Sequence, residues 1–519
     1  MSGQVERRGN ERQKPSRFER GDDVVVMKFG GTSVEDAPAI RRLIGIVRDS
    51  IVRDSIVRNS VDRNSVDRHS NVPSSIVRSR AAARPVLVVS ALAGVTDHLL
   101  ESGAAAAKGH LGSALATVRD IYVRHEQLAD SLVDDSAYSA LDRELRGEFR
   151  ALESLLHDLD SSRQLDLKAQ DYLLGFGECF SSRLVKEALC DAGIQAAHVD
   201  ARACIVTDAR HGQANPEWDA TELRLQEALS PILELGQLPV LGGFIASTVD
   251  GVPTTLGRGG SDYSAAIVGA ALCAARVEIW TDVDGIMTTD PKLCSDARVI
   301  RKISFDEAAE FAHFGAKVLH PATLAPAMRE NIPVYVLNSR RPEGEGTEIV
   351  ARAKTGDVVS GITAKRNVAA VEIQSAHTFD SELMRTVYAA FDRHSCSVDV
   401  MATSRGCMSL LVGSTAALPA ITADLRGVAE VRWENHKALV CLVGENIRRQ
   451  PDVASRVFAA VSDMNVRVVC HGASDRTISF LVEESKVEES VQRLHGIFFP
   501  QPDSARDWGG ITSAFCQAG

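Results

Sequence analysis

The chain enters its first strand with VVVMKFGGTSV, residues 24–34. The apolar run predicts a short buried strand, and Lys28 and the pair Gly30–Gly31 lie where this strand turns. Consecutive glycines allow backbone N–H groups to converge on an anion, and the Lys28 ammonium adds a point charge. The spacing matches neither a Walker loop nor a dinucleotide fingerprint, so phosphate binding competes here with a purely structural glycine turn.

A second glycine-rich segment, TTLGRGGSD at residues 254–262, precedes an apolar stretch that ends at Ala275 and predicts a largely buried helix. Ser261 and Asp262 suit a helix start, where unpaired N–H groups and the positive end of the dipole favour anions. Arg258 lies in the turn just ahead and can hold a carboxylate or phosphate through its planar guanidinium. The alternative is an ordinary capped helix after a glycine-rich turn.

Four further segments place small or charged residues at the ends of expected strands and the starts of expected helices. They are VSALAGVTD at 89–97, GFGECFSS at 175–182, IWTDVDGIMTTDP at 279–291 and FGAKVLHP at 314–321. In their order along the chain, the six segments resemble those of the aspartokinases, amino-acid kinases that phosphorylate the β-carboxylate of L-aspartate. The resemblance extends from Val24 to Phe499 and is to the monofunctional, lysine-sensitive type.

The resemblance implies an aspartate kinase that converts ATP and L-aspartate to ADP and 4-phospho-L-aspartate with the help of Mg²⁺. This is the first step of the pathway to lysine, threonine and methionine, and it is feedback-regulated. Two alternatives stay open. Another amino-acid kinase, such as an acetylglutamate or uridylate kinase, shares the glycine-rich fold but lacks the duplicated C-terminal part. A non-catalytic amino-acid sensor would not need the charged residues that this sequence keeps, Lys28, Glu178, Arg258 and Asp262.

Composition narrows the class of protein. The 519 residues are too many for one typical core and suggest two to four domains. Acidic side chains number 69 and basic ones 58, and the net charge of −11 argues against nucleic acid and anionic membranes as partners. The 10 cysteines show no metal-ligand spacing, which is typical of reduced thiols in the cytoplasm, and no protein metal site is predicted. No run reaches the ~18 apolar residues that a membrane helix needs.

The pattern along the chain predicts several domains. Residues 1–23 lack the apolar centre of a secretory signal and read as a disordered leader. Residues 24–350 alternate strands with helices, including helical stretches over 114–159 and 169–189, and predict the doubly wound, mostly parallel α/β sheet of the amino-acid-kinase fold. Two ferredoxin-like βαββαβ units that resemble ACT regulatory modules follow at 365–437 and 438–499. Residues 500–519 form a tail, and no dinucleotide fingerprint of a fused homoserine dehydrogenase follows the second module.

A low-complexity insert occupies residues 46–80. The pentamer IVRDS at 46–50 recurs at 51–55 and then degrades as far as Ser70. A five-residue period matches neither a helix nor a strand, and it is far shorter than a solenoid unit. We interpret the insert as a surface-exposed expansion that can be deleted from Ile51 to Ser70 with little effect; the alternative is an interaction segment.

The chemistry follows from charge. The β-carboxylate of aspartate, with a reference pKa of ~3.9, is already a nucleophile at neutral pH and needs no general base. Repulsion between this carboxylate and the triphosphate is the obstacle, so catalysis should consist of positioning and charge neutralisation. Lys28 is the candidate for the transferred phosphoryl group, the Gly30–Gly31 amides for the phosphates, and Mg²⁺ for bridging their oxygens. Asp262 is expected to organise Lys28; its alternative role is helix capping.

The resemblance implies the remaining site residues. Arg258 pairs the α-carboxylate of aspartate, Glu178 its α-ammonium, and Thr96 hydrogen-bonds the substrate. The turn residues that complete this substrate site are Gly259, Gly260 and Ser261. The implied nucleotide-binding residues are Lys28, Phe29, Gly30, Gly31, Thr281, Asp282, Met287, Lys292, Lys317 and Val318. Met287 and Lys292 replace the Tyr and Arg that are common at these positions.

An effector site is implied in the first ACT module. Ser397, Val398 and Asp399 resemble the segment that holds lysine in lysine-sensitive aspartokinases, and two subunits would bury the ligand between their ACT faces as a homodimer. The chain departs from that pattern, since His377, Asp380 and Arg405 stand where Met, Ser and Glu are usual. Arg405 would repel a cationic ligand, and Asp380 partly offsets this. Lysine is the expected effector; threonine or no effector is the alternative.

Overall fold

The computed structural model describes residues 23–61, 83–316, 319, 321–353, 358–375, 380–471 and 474–500, with the side chains of 52–61 and 321–322 left aside. The expected leader before Asp23, most of the pentamer insert and the expected tail after Pro500 lie outside the described residues. The chain divides into two compact units. The first comprises Met1–Ile286, Val299–Ala312 and Lys317–Lys354, and the second comprises Met287–Arg298, His313–Ala316 and Thr355–Gly519.

Strands and helices alternate along the first unit, as the hydrophobic periodicity predicts. In chain order the elements are β1 Val24–Phe29, α1 Ala37–Val61, β2 Arg84–Val89, α2 Val95–Ala107, α3 Leu111–Leu132, α4 Asp135–Ser162, α5 Leu167–Asp191, β3 Ala196–Val199, α6 Ala201–Cys204, β4 Val206–Thr207, α7 Trp218–Glu234, β5 Leu238–Gly242, β6 Ile245–Thr248, β7 Pro253–Thr255, α8 Gly260–Ala271, β8 Arg276–Thr281, β9 Lys302–Ser304, α9 Phe305–His313, α10 Pro321–Arg329, β10 Val334–Asn338 and β11 Thr347–Val350.

Eight of these strands form one sheet in the order β3-β5-β2-β1-β8-β10-β11-β9. Every neighbouring pair is parallel except β10 and β11, which confirms the predicted mostly parallel sheet. Strand β1 lies in the middle, with Lys28 opposite Val88 of β2 and Ile279 of β8. The carboxyl ends of β5, β2, β1 and β8 therefore meet at one edge, where open parallel sheets bind their ligands.

The core of the first unit packs helices against this sheet. Its fully buried side chains include Met27, Phe29 and Leu87 from the sheet and Phe176 and Phe180 from α5. Helix α5 is buried on nearly all sides over its central turns, which is the expected behaviour of a helix that is apolar all round. A rigid, buried α5 can hold a polar side chain in a fixed place beside the sheet.

The single helix predicted over residues 114–159 is wrong in detail, because α3 and α4 are separate helices. The chain becomes extended at Val133, with φ −130° and ψ 156°. The Asp134 carboxylate then caps α4 by accepting a hydrogen bond from the backbone N–H of Ala137 at 2.8 Å. A side chain that satisfies a free N–H at a helix start favours a new helix over a continuous one.

The second unit is built on an antiparallel sheet. Its elements are β12 Gly361–Gln374, α11 Ser381–Arg393, β13 Val398–Thr403, β14 Cys407–Val412, α12 Leu418–Asp424, β15 Glu430–Val443, α13 Pro451–Ala460, β16 Val469–His471, β17 Thr477–Glu483 and α14 Val487–Phe498. The sheet order is β13-β14-β12-β15-β17-β16. Along the chain these elements follow the predicted succession of strands and helices.

Two long strands serve both halves of this sheet. The first part of β12, residues 361–365, pairs with 439–443 of β15, and its second part, from Val368, pairs with 430–437. A bulge separates the two parts, and Asn367 within it has a positive φ of 56°. The helices pack as two separate hydrophobic clusters, α11 and α12 over one half and α13 and α14 over the other. Among the described residues no strand follows α14, so the βαββαβ order predicted for residues 438–499 is wrong in its last strand, which residues 361–365 of β12 supply instead.

None of the described helices is long and apolar enough to cross a lipid bilayer.

The pentamer insert allows a test of how far along the repeat the side chains pack against the core. Val47, in the first pentamer, is fully buried, and Ile51, which opens the second, packs partly buried against the main core. The expectation that the insert is surface-exposed from residue 46 is therefore wrong at its start, and a deletion should begin after Ile51. Val47→Asp is therefore expected to destabilise the protein by about 2–5 kcal/mol, whereas Val57→Asp, the equivalent change in the third pentamer, should cost less than ~0.5 kcal/mol. Deleting residues 56–70 should leave stability within ~1 kcal/mol and turnover within about twofold. Urea unfolding of the three variants measures this, and a large loss in the deletion variant would show that the repeat packs or functions.

Candidate active site

The two glycine-rich turns lie together at the carboxyl edge of the parallel sheet. The Ser90 N–H donates to Phe29 O at 3.1 Å, and the Gly243 N–H donates to Val89 O at 2.8 Å, so the ends of β1, β2 and β5 are tied in sequence. A Cβ atom on Gly243 would lie 2.7 Å from Ser261 Cβ, so glycine is required for β5 to meet the start of α8.

The turn after β1 is held tightly by its neighbours. The Gly30 N–H donates to Trp280 O at 3.0 Å, and Gly31 O accepts from the Ala93 N–H at 3.2 Å. A Cβ atom on Gly31 would lie 3.0 Å from Ala91 O, which explains why this position needs glycine. Phe29, one of the predicted nucleotide-binding residues, is fully buried and stacks on Trp280 with 6.1 Å between ring centroids.

Lys28 and Asp262 form an ion pair across this edge. Lys28 Nζ lies 2.6 Å from Asp262 Oδ1, and the two side chains are 10% and 14% exposed. Asp262 lies in the first turn of α8, but the helix cap is Gly259 and no side chain caps it. The carboxylate of Asp262 is therefore used for pairing Lys28 rather than for capping. An ion pair this far withdrawn from water is costly to assemble, which is typical of a functional site.

The turn before α8 has two residues in the left-handed region. Gly257 has φ 74° and Gly259 has φ 71°, so glycine is favoured at both positions. A Cβ atom on Gly260 would lie 2.6 Å from Phe244 Cδ2, so this glycine allows close packing. Arg258, between the two left-handed glycines, is exposed, and no carboxylate of the described residues pairs with its guanidinium.

Glu178 is the most deeply buried charged candidate. It lies on α5 with 3% of its surface exposed, and its Oε1 accepts from the Ala91 N–H at 3.2 Å. Its Oε2 is buried and has no hydrogen-bond partner. Burial raises the pKa of Glu178 to about 8, although the Ala91 N–H and the nearby Lys28 ammonium both act to lower it. A buried carboxyl oxygen with no partner is expected to meet a ligand.

Close helix packing explains the position of Glu178. A Cβ atom on Gly177 would lie 2.7 Å from Ala91 Cβ, and one on Gly242 would lie 3.0 Å from Glu178 Cβ. The glycines of the GFGE segment and of the β5 turn therefore let α5 approach the strand ends. Thr96 lies half-buried in the first turn of α2, directly after the same Ala91-containing segment.

The end of β8 carries the predicted nucleotide residues Thr281 and Asp282. Thr281 O accepts hydrogen bonds from the Ser339 N–H at 2.8 Å and from Ser339 Oγ at 3.1 Å. Ser339 Oγ in turn lies 2.8 Å from Ser33 Oγ in the turn after β1. The sequence reasoning missed this serine pair. Its available signal was the polar Asn338–Ser339 dipeptide at the end of β10, an apolar strand that neighbours β8.

The other predicted nucleotide residues belong to the second unit or lie outside the described residues. Met287 and Lys292 belong to the second unit, in the segment Met287–Arg298. Within that unit the Thr288 N–H donates to Arg298 O at 2.8 Å, and Thr288 Oγ1 lies 2.9 Å from His495 Nε2 on α14. Lys317 and Val318 lie outside the described residues.

The predicted effector residues lie in the second unit. Both carboxylate oxygens of Asp399 lie 2.7 Å from Lys365 Nζ, and the Asp399 side chain is only 11% exposed. Asp380 caps α11 by accepting from the Glu382 and Leu383 N–H groups at 3.1 and 2.9 Å. Ser397 and Val398 lead into β13, and His377 lies outside the described residues. Asp399 is thus already neutralised by a lysine of this chain.

Comparison with known proteins identifies a kinase part and a regulatory part of the chain. Residues 23–338 match the model of the amino acid kinase family, and residues 440–498 match that of an ACT domain. Lysine-sensitive aspartokinase 3 of Escherichia coli (strain K12) is 33% identical over 491 residues, which are 92% of this chain and 99% of that protein. Aspartokinase 3, chloroplastic, of Arabidopsis thaliana is 31% identical over 95% of this chain and 85% of its own length.

Solved structures agree with the sequence relatives. E. coli aspartokinase III in complex with aspartate and ADP (R-state) superposes with a TM-score of 0.76 at 32% identity, covering 92% of this chain and all of that one. The same enzyme with lysine and aspartate (T-state) gives a TM-score of 0.73 at 33% identity and the same coverage. The parallel sheet, the glycine-rich turns at its carboxyl edge and these similarities over nearly the whole length agree, and the chain belongs to the aspartokinases of the amino acid kinase family.

Proposed function

We propose that this chain transfers the γ-phosphoryl group of ATP to the β-carboxylate of L-aspartate. The observation that carries the proposal is the group of three ionisable side chains, Lys28, Asp262 and Glu178, that are largely withdrawn from water at the ligand-binding edge of the sheet. Three ionisable groups that are largely withdrawn from water would bring little stability to a merely structural core. The relative whose structure holds aspartate and ADP supports the choice of substrates.

The turn after β1 is the part of the site that binds the phosphates of ATP. Because the Gly30 N–H is engaged with Trp280 O, we assign the phosphate contact to Gly31 and the Lys28 ammonium. Asp262, whose Oδ1 lies 2.6 Å from Lys28 Nζ, holds the ammonium in place at this edge. Lys28 would then neutralise charge on the transferred group in a loose transition state. No general base is required, since the attacking carboxylate is already ionised.

Mg²⁺ fits this site as an ion that arrives with ATP. Among the described residues no three His, Cys, Asp or Glu side chains gather as a metal-holding group. Mg²⁺ commonly keeps several waters and is held by substrate phosphates and only one or two carboxylates. A cluster of protein carboxylates is therefore not needed to bind it. The phosphate oxygens and waters would hold it, and the ion would neutralise charge on the phosphates.

The aspartate side needs one cationic and one anionic contact. Arg258, whose guanidinium has no carboxylate partner among the described residues, pairs the α-carboxylate, and the free Oε2 of Glu178 pairs the α-ammonium. Thr96 adds a hydrogen bond from the first turn of α2. With both α-groups held, the β-carboxylate is the group left to meet the phosphate.

Acceptor specificity tests the proposal. We expect the purified chain to form ADP from ATP with L-aspartate and at least about 100-fold less with N-acetyl-L-glutamate or UMP, which lack the pairing of α-ammonium with α-carboxylate. D-Aspartate, which places these groups wrongly, serves as the matched control. A preference for N-acetyl-L-glutamate or UMP would assign the chain to another amino-acid kinase, and no turnover with any acceptor would favour a sensor.

Feedback by lysine is proposed for the same chain. The relative of 33% identity is named lysine-sensitive, and it has been solved with lysine bound. We assign the effector ammonium to Asp399, in a homodimer that buries the ligand between paired regulatory units. Lys365 occupies that carboxylate with its own ammonium, so an incoming lysine must displace it. The internal pair therefore weakens effector binding.

Lysine titration of three variants tests this arrangement. We expect millimolar L-lysine to inhibit the wild type, and Asp399→Ala to need at least about tenfold more, for a coupling of ~1–3 kcal/mol. Lys365→Met, which frees Asp399, should be inhibited at lower concentrations than the wild type. Asp424→Ala, which removes an exposed carboxylate paired with Arg393, is the control and should behave as the wild type. No inhibition of the wild type, or equal inhibition of wild type and Asp399→Ala, would contradict the assignment.

A further inference from the structure

A second carboxylate on α5, Asp171, is as buried as Glu178 and has no place in the mechanism above. Its side chain is 1% exposed and accepts hydrogen bonds from three different groups. Thr255 Oγ1 donates to Oδ1 at 2.5 Å, His211 Nδ1 lies 2.8 Å from Oδ2, and the Gly212 N–H lies 3.0 Å from both oxygens. A buried carboxylate whose two oxygens both accept hydrogen bonds holds in place the segments that supply the donors.

Those segments back the turn that carries Arg258. Thr255 is the last residue of β7, three positions before Arg258. The Ala214 N–H donates to Thr255 O at 2.9 Å, which joins the loop at 211–214 to the same strand end. A Cβ atom on Gly257 would lie 3.2 Å from Gly212 O, so the loop sits directly against the turn. Asp171 thus anchors the two backbone segments next to Arg258, which are the end of β7 and the loop at 211–214.

The same helix also carries Glu178. Asp171 and Glu178 are two helical turns apart, a spacing that puts both on one face. Both are buried within a helix that the core holds on nearly all sides. We propose that Asp171 is a positioning residue that fixes the Arg258 turn relative to Glu178, and thereby sets the distance at which the α-carboxylate and α-ammonium of the substrate are recognised. This inference rests on the proposed function.

Measuring the selectivity for the α-carboxylate distinguishes a positioning role of Asp171 from a purely stabilising one. Asp171→Asn keeps the size of the side chain but removes its charge, and we expect it to raise the KM for L-aspartate by roughly tenfold or more, with kcat changed less than about threefold. The preference for L-aspartate over its α-amide, L-isoasparagine, should fall as it falls in Arg258→Ala. Because Asp171 acts through Arg258, the double variant should be no less selective than Arg258→Ala alone.

A conservative pair of variants guards against misfolding. Thr255→Val removes the hydroxyl donor to Asp171 and should raise the KM for L-aspartate, whereas Thr255→Ser keeps the hydroxyl and should restore it. Asp142→Asn removes a carboxylate that accepts from the Tyr122 hydroxyl at 2.7 Å on α3 and should leave both kinetic constants unchanged. These variants carry the test should Asp171→Asn not fold.

The outcomes are distinguishable. If Arg258→Ala itself leaves the preference for L-aspartate over the α-amide intact, the proposed substrate site is wrong and the inference falls with it. If Arg258→Ala abolishes that preference but Asp171→Asn and Thr255→Val retain it, the proposed function stands and the positioning role is overturned. A lower melting temperature with an unchanged KM would likewise show that Asp171 is only structural.

Discussion

Replacing Lys28 by alanine is expected to lower kcat by roughly 10²–10⁴, with a much smaller change in the KM for L-aspartate. The reason is where the charge acts. The Lys28 ammonium lies at the phosphate turn, 2.6 Å from the Asp262 carboxylate, and its charge acts mainly on the transferred phosphoryl group rather than on bound aspartate. Steady-state kinetics with aspartate and ATP varied separately measure the split between kcat and KM.

Three further variants interpret that result. Asp262→Asn should also lower kcat, and since Asp262 acts through Lys28, the double variant should be no slower than Lys28→Ala alone. Lys186→Ala, which removes a partly buried lysine paired with Glu187 on α5, should leave kcat within about twofold and controls for loss of any lysine. A folded Lys28→Ala variant with near-normal kcat would remove Lys28 from the mechanism.

Aspartate binding is expected to drive a proton from Glu178. Burial raises the pKa of this carboxyl to about 8, so at pH 7 the free enzyme holds it mostly protonated. The substrate ammonium favours the carboxylate, so the KM for L-aspartate should fall as the pH rises from 6 to 8, by up to about tenfold per unit. Glu178→Gln should abolish this dependence and raise the KM by roughly 10²–10³, as expected when a buried charge pair loses one partner.

Two measurements check the proton. Calorimetric titration with L-aspartate in buffers of different ionisation enthalpy should show release of close to one proton per site at pH 7 in the wild type and none in Glu178→Gln. The pH dependence of the KM gives the same information from kinetics. Proton release that is equal in both proteins would place the titrating group elsewhere.

The same carboxyl should make folding depend on pH. Its folded pKa of about 8 exceeds its ordinary value of 4.5, so between these pH values the folded chain holds a proton that the unfolded chain has lost. This contribution to stability is fully present below pH 4.5 and is lost as the pH rises to 8, by about 1.4 kcal/mol per unit. Urea unfolding at several pH values should show the wild type losing stability relative to Glu178→Gln as the pH rises; parallel curves would contradict the raised pKa.

The order of elements and the mostly parallel sheet were predictable from sequence. The apolar run that ends in Gly30–Gly31 predicts a strand followed by a glycine turn, and the alternation of strands with helices predicts a mostly parallel sheet, which the structure confirms. The use of Asp262 was not predictable. An aspartate in a first helical turn can cap the helix or pair a distant cation, and only the meeting of α8 with β1 decides for Lys28.

Other features depend on contacts that one sequence does not display. Asp171 has no local motif, and its only signal is the spacing of two helical turns from Glu178. The pairing of Asp399 with Lys365 joins residues of different strands, β13 and β12, whose neighbourhood is set by β14 between them. The break between α3 and α4 could have been predicted, because Asp134 before Asp135 and Ser136 is a typical helix start.

That the chain phosphorylates the β-carboxylate of L-aspartate is tested most directly by trapping the product with hydroxylamine. An acyl phosphate at the β-position is expected to give L-aspartate β-hydroxamate in a one-to-one ratio with ADP, and Lys28→Ala should lower both by the same factor. ADP formed without β-hydroxamate, or a hydroxamate at the α-position, would contradict the proposed reaction.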